Sequence, residues 1–516
     1  MRTNVLTCAL RSWGVSLGLS LGLWGGILTS ACTASANEVQ PPPDQLFFPT
    51  GLAVAPNING GMLPAGSVLF AANSNSELRF DSGTISVIDL DKVQTVIEMW
   101  SPSSGAAPTC GTSSTPSCGA GCKPPDPDHR ETLTCDAVQF LRKDAGVRIG
   151  NFATDIAVQD FSYLDQNGTK VVKSRVVVPT RGDPSIAWAD FDGENLSCTT
   201  GSSRFALCDD AHRLANVASD PNLPPIPDEP FGVFADPGPA VPVMAPDGTI
   251  TSYIYPKGFA VVTHLTTGAV TLVDSPGNGD ARVADVKSNL FAIDPTTGVR
   301  GATGVAGRPQ PQGVGGEIVY VGSRSEARIQ TFTVGRPMNN TPPYLLANDF
   351  FFLDAVGASS GGSTDTRGMQ FSPSGDRMYV VNRRPPTLQI FDTSIGPSGF
   401  PRNVASGASD ICRQASTLAV FDAGAGERAY VTCFQDGVIY VVDPNGSSQV
   451  EDIITVGRGP YSVVAAKYPV TLPPTNARDL LFVSNYLEDT IAVVDVTPTL
   501  TTRNRVVLRI GQPRAP

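Results

Sequence analysis

Met378-Tyr379-Val380-Val381-Asn382, a polar turn, and then Leu388-Gln389-Ile390-Phe391-Asp392 form the stretch that decides the fold. Each run is short, apolar and rich in β-branched and aromatic residues, which is strand chemistry at strand length. Tyr430-Val431-Thr432-Cys433 leads in the same way to Val438-Ile439-Tyr440-Val441-Val442-Asp443, and Leu481-Phe482-Val483-Ser484-Asn485 to Ile491-Ala492-Val493-Val494-Asp495. Ten positions separate the ends of the two runs each time, and the interval recurs from His264 to Asp274, Thr180 to Asp190 and Ser323 to Thr333. A seventh pair, ending at Asn73 and Asp89, carries a longer turn. Self-similarity of this kind marks a repeat fold built from strand-turn-strand units.

Working outward, a further run precedes most pairs: Gly51 to Val54, Asp155 to Val158, Phe231 to Phe234, Gly368 to Phe371, Thr417 to Val420 and Tyr461 to Val464. Its small residues suit an innermost strand, where sheets crowd about an axis. Behind the pairs lie more charged runs, Val93 to Met99, Glu451 to Val456 and Arg505 to Ile510, which read as outer edge strands. The expectation is an all-β, seven-bladed β-propeller of four-stranded antiparallel blades over residues 48–512. Each blade is too thin to bury both its faces alone, so the ring is the cooperative unit.

The repeats resemble the YVTN family of seven-bladed propellers. Tyr430-Val431-Thr432-Cys433, Ile85-Ser86-Val87-Ile88-Asp89, Val456-Gly457-Arg458-Gly459-Pro460 and Phe371-Ser372-Pro373-Ser374-Gly375-Asp376 carry the likeness. It implies the fold and leaves function open, since such rings serve lactonases, redox-enzyme subunits and plain binding surfaces.

Residues 1–32 read as an export signal: Arg2 and Arg11, an apolar stretch from Trp13 to Leu28, and Thr29-Ser30-Ala31-Cys32. The last four resemble a bacterial lipobox, which implies a diacylglycerol on Cys32. Thr33 after it resembles an outer-membrane address, and residues 33–47 read as a flexible tether. No other stretch approaches the roughly 18 apolar residues of a membrane span. Eight cysteines remain beyond the signal and Cys32, an even number fit for an oxidising compartment. Cys412 with Cys433, and Cys198 with Cys208, are expected pairs. Cys110, Cys118, Cys122 and Cys135 lie in a Ser-, Pro- and Gly-rich insertion after blade one, at about 101–135. Two disulfides suit them better than zinc, whose paired C-x-x-C knuckles are missing.

Lys plus Arg number 37 against 48 acidic residues, a net charge of −11 that becomes −13 once Arg2 and Arg11 leave. Such a surface offers nucleic acid no general attraction. His129, His212 and His264 fall on different units without metal spacing, and no C-x-x-C-H, nucleophile elbow, phosphate loop or dinucleotide fingerprint appears in a suitable context. No cofactor or metal is therefore expected. Asp190-Phe191-Asp192-Gly193-Glu194-Asn195 reads as a blade-end turn rather than a calcium loop, and Arg181-Gly182-Asp183 as a strand-to-strand turn. Propeller ligands usually meet the loops that feed the inner strands, which nominates Asp155, Arg367, Arg413, Arg458 and Tyr461 as a channel-mouth site for an anion. The expected function is a non-catalytic binding or scaffold module of an envelope lipoprotein, facing a protein or polymer. A lactonase-like hydrolase or redox-linked subunit is the alternative.

Overall fold

The computed structural model describes residues 39–514 except 58–61, 103–117, 119–120, 124–128, 130, 202–203, 216–224, 295–297, 310–316, 337–341, 354–363, 446–448 and 470–476. The expected export signal and Cys32 lie outside these residues. Gln40–Pro516 form one compact unit, and the end of the expected tether belongs to it, with Leu46 and Phe47 buried.

The chain folds as the seven-bladed propeller that its repeats specify. Blade five is representative: Thr366–Phe371, Arg377–Arg383, Pro386–Asp392 and Val404–Asp410 pair in order from the axis outward, all antiparallel. Its two middle strands are the quoted runs, in register from Arg377 with Asp392 to Arg383 with Pro386. They are buried on both faces because neighbouring blades cover them, hence the near-continuous apolar sequence. The inner strands start with a recurring β-bulge, as at Thr366/Met369 and Ala415/Leu418. They approach the next blade so closely that a Cβ on Gly368 would lie 2.8 Å from the Thr417 Cα.

A circle of hydrogen bonds joins the inner rims. Thr50 Oγ1 donates to the Ala153 carbonyl at 2.9 Å, Thr154 to Phe231 at 2.6 Å and Thr263 to Thr303 at 2.8 Å. Thr303 donates to Thr366, Thr432 to Tyr461 and Ser484 back to Thr50. Between blades five and six the donor is Arg383, whose Nε reaches the Ala415 carbonyl at 2.6 Å.

Three expectations are corrected. Val93 to Met99 is no edge strand but part of a helix, Leu90–Trp100, capped by the Asp89 side chain accepting from the Lys92 amide. Leu90, Val93 and Ile97 are buried at three- and four-residue spacing, a helical stripe within a run too short to show it clearly. Blade one takes Val147–Ile149 as its outer strand instead. The cysteine-rich insertion therefore lies inside blade one, and it reaches across the ring's junction. Leu133–Cys135 pairs in parallel with the outer strand of blade seven, Arg505–Ile510, and Cys122–Lys123 pairs with Leu133–Cys135. Blade four, whose inner strand the repeat pattern left unassigned, supplies Ala302–Gly307.

Disulfides join Cys122 to Cys135, Cys198 to Cys208 and Cys412 to Cys433. Cys118 is disulfide-bonded too, whereas Cys110 lies outside the described residues. The Cys198–Cys208 loop stays within blade two, since Arg213–Ala215 pairs with the same strand as Leu196–Ser197.

Candidate functional site

Within each blade the inner strand begins, and the second strand ends, on the same face of the ring. The repeat therefore delivers one residue per blade to the rim of the channel: the residue that follows the polar strand end. In order these are Ser74, Arg181, Leu265, Arg324, Arg383, Phe434 and Tyr486. Arginines occupy blades two, four and five, and aromatics occupy blades six and seven. The starts of the inner strands add Asp155, Asp365, Arg367 and Tyr461.

Two guanidinium groups approach one carboxylate, and a third lies close by. Arg367 Nε stands 2.9 Å from Asp365 Oδ1 and its Nη2 donates to Oδ2 at 3.1 Å. Arg383 Nη1 lies 4.0 Å from the same carboxylate. Burial lowers the Arg383 guanidinium to about 10, with the like charges of Arg367 and Arg324 acting in the same direction. Arg324 lines a small cleft with Asp365, Arg384 and Asp294, and among the described residues its guanidinium has no hydrogen-bond or ion-pair partner. Arg324, Arg367, Arg383 and Arg384 against Asp365 and Asp294 leave this edge of the mouth positive, on a chain whose net charge is −11.

Tyr461 sits between the charged and aromatic edges. Burial pushes its phenol up, and it lies in the field of Arg367, Asp155, Arg383 and Arg181. Its ring is 6.2 Å from that of Tyr486 and 6.4 Å from that of Phe434, which are themselves 6.0 Å apart. Phe48 extends the group at 5.4 Å from Tyr486.

The expected site residues divide accordingly. Asp155, Arg367 and Tyr461 come together. Arg458 instead turns to Glu488 at 3.4 Å and to the Arg514 carbonyl, and Arg413 is exposed without an ion-pair partner among the described residues. Asp155 has a structural duty: Oδ1 accepts from the Ile156 amide at 2.9 Å and Oδ2 from Val233 of blade three at 3.1 Å. Burial still pushes its carboxyl up to about 6.

His264 does not join it. That ring is fully buried, bonded to Thr271 Oγ1 at 2.9 Å and to the Asp228 carbonyl at 3.2 Å, and burial lowers it to about 4. His212 pairs with Asp209, and His129 lies near Glu131. Asp192 closes an ordinary turn, its Oδ1 accepting from the Glu194 and Asn195 amides. Among the described residues no group of three His, Cys, Asp or Glu side chains could hold a metal ion.

Arg181, Arg324, Arg383, Phe434 and Tyr486 escaped the reading of the sequence. The signal was present, because aligning the repeats on their polar strand ends places all five at one position.

No protein-family profile and no curated protein matches the chain. Among solved structures, a periplasmic gluconolactonase from Pseudomonas aeruginosa is similar at 13% identity and a TM-score of 0.41, over 85% of this chain and 88% of that one. Hydrazine synthase from Kuenenia stuttgartiensis has 11% identity and a TM-score of 0.39, over 77% and 84%. The β-propeller domain of Cps50 from Myceliophteria thermophila has 10% identity and a TM-score of 0.39, over 86% and 98%. Likenesses this distant say nothing of activity.

Proposed function

We propose that this protein is an exported, non-catalytic binding propeller that takes an anionic group of an envelope polymer, protein or small molecule at its channel mouth. The observation that carries this reading is the pairing of Arg367 and Arg383 with Asp365, with Arg324 in the cleft that Asp365 lines and coupled by charge to Arg383. Guanidinium groups present fixed, paired donors suited to carboxylate and phosphate, and a half-buried site strengthens such contacts relative to water. Anchoring through a lipid on Cys32, with an outer-membrane address, belongs to the same proposal. It is supported by the lipobox-like Thr29-Ser30-Ala31-Cys32 and by disulfides that persist in an oxidising compartment.

Calorimetric titration of the mature protein with inorganic phosphate tests the binding. Arg324→Met is expected to weaken it roughly ten-fold, the scale of one charge-assisted hydrogen bond, while Arg413→Met leaves it unchanged. Equal effects of the two substitutions, or no binding at all, would defeat the proposal. Intact mass of the membrane fraction tests the anchor, which an unmodified chain retaining Met1 would exclude.

A hydrolytic reading has one supporting observation, the carboxyl of Asp155 raised to about 6 by burial at the start of an inner strand, where it could act as a base near neutral pH. Turnover of lactones that disappears in Asp155→Asn would favour it over simple binding.

A further inference from the structure

The mouth has two unlike edges, and they bear on what kind of anion fits. The guanidinium edge, from blades four and five, holds Arg324, Arg367 and Arg383. The adjoining edge, from blades six and seven, holds Phe434 and Tyr486, with Tyr461 in contact with both rings and in the field of the arginines. All three aromatics are half-buried rather than sealed in the core. Their rings meet edge-on or tilted, Phe434 to Tyr461 at 82° and Tyr461 to Tyr486 at 34°.

Neither edge is a general feature of the ring. At the same repeat position blade one has Ser74 and blade three has Leu265. Blades six and seven also lack a core reason for aromatics there, since Phe434 and Tyr486 belong to none of the buried apolar clusters. Half-exposed aromatic surface beside a cluster in which arginines outnumber carboxylates suits a ligand with a flat apolar body and an acidic end.

We infer that the channel mouth selects ring-bearing anions, the acid held by Arg324 and Arg367 and the ring laid against Phe434, Tyr461 and Tyr486. This rests on the anion-binding reading above and adds a ligand class to it. A compact anion would use only the guanidinium edge. A ring-bearing one would also cover apolar surface on both sides of the contact, a gain of about ten-fold for one aromatic contact beyond its charge.

The test compares benzoate with acetate, which match in charge and differ in the ring, by calorimetry on the mature protein at fixed ionic strength. Benzoate is expected to bind about ten-fold more tightly. Tyr486→Leu should bring benzoate down toward acetate while leaving acetate unchanged, and Arg324→Met should weaken both. Phe434→Leu gives a second, independent aromatic variant should Tyr486→Leu fail to fold. Equal affinity of the two ligands would overturn the inference and leave the anion site standing. Failure of both to bind would overturn the site and the inference together. Tighter benzoate that ignores both aromatic substitutions would place the ring elsewhere and also overturn the inference.

Discussion

Arg478 and Arg324 are the same side chain in opposite situations. Arg478, 1% exposed, lies at the junction of blades one and seven, with Glu98 of the helix at 3.0 Å, Asp495 at 3.3 Å and the Ser101 carbonyl at 2.7 Å. Arg175 repeats the arrangement between blades two and three. It grips Asp190 through two nitrogens, donates to Ser275, Pro276 and Gly279, and lies over Trp188. Both hold blades together with their charge matched by carboxylates. Arg324 is half-buried beside two further arginines and has no partner among the described residues. A buried charge without a counterpart is costly, so a fold keeps such an arrangement only where nothing in its own packing requires it to be satisfied. The seams therefore report on stability, and the mouth on function.

The largest effect should come from breaking a seam. Arg478→Met leaves Glu98 and Asp495 buried without their cation, and the expected cost is about 3–5 kcal/mol in denaturant unfolding. A loss below about 1 kcal/mol would show that water reaches the cluster and that the contrast with Arg324 is false. Next comes the covalent clasp on the same junction. Besides Arg478 and the Ser484–Thr50 bond, this junction is held by Leu133–Cys135 lying along Arg505–Ile510 and by Thr132 Oγ1 donating to the Val506 carbonyl at 2.6 Å. Cys122 and Cys135 are 13 residues apart, so replacing both with serine should cost about 3 kcal/mol. The sharper readout is local. Hydrogen exchange should rise in Arg505–Ile510 and not in blades three to five, and uniform exchange across the ring would refute the clasp.

How far the sequence reveals each region follows from what repeats. The middle strands were legible because every blade solves the same burial problem with the same apolar run, as at Tyr379 and Val380 or Phe482 and Val483. Leu90–Trp100 was misread because its helical stripe rests on three residues, while Val93, Val96 and Ile97 have strand-like side chains. Its partners, Arg478 and the outer edge of blade seven, are also nearly four hundred residues away. At the mouth the reverse holds. Asp155, Arg367 and Tyr461 stood out as candidates one by one, but pairing Arg367 with Asp365 and Arg458 with Glu488 needs side-chain geometry. Arg324 could have been found by treating the residue after each strand end as a column and asking where it departs from the apolar or small choice.

Substitution of Arg324 or Asp365 should leave stability nearly untouched and act on binding. Asp365→Asn removes the anion that competes for Arg367 and Arg383, and phosphate affinity should rise by roughly ten-fold. Weaker phosphate binding would mean that Asp365 aims the arginines instead of competing with the ligand.

The smallest predicted effect is on pH dependence, and its binding arm isolates Asp155. Its carboxyl is pushed up to about 6 by burial, from an ordinary value of about 3.9. The folded state therefore holds this proton where the unfolded chain has lost it, and Asp155 makes stability fall as pH rises from about 4 to about 6. Binding follows the same proton. Lowering the pH from 7.5 to 5.5 neutralises Asp155 beside Tyr461 while the arginines stay charged, so benzoate, still ionised, should bind a few-fold more tightly. Asp155→Asn should abolish the binding slope and only reduce the stability slope, because burial also pushes the carboxyls of Asp236 and Asp479 up to about 6, while the amide oxygen can still accept one of the two backbone N–H groups without carrying charge. If the binding slope persists in Asp155→Asn, another group at the mouth titrates and Asp155 serves only to hold blade two against blade three.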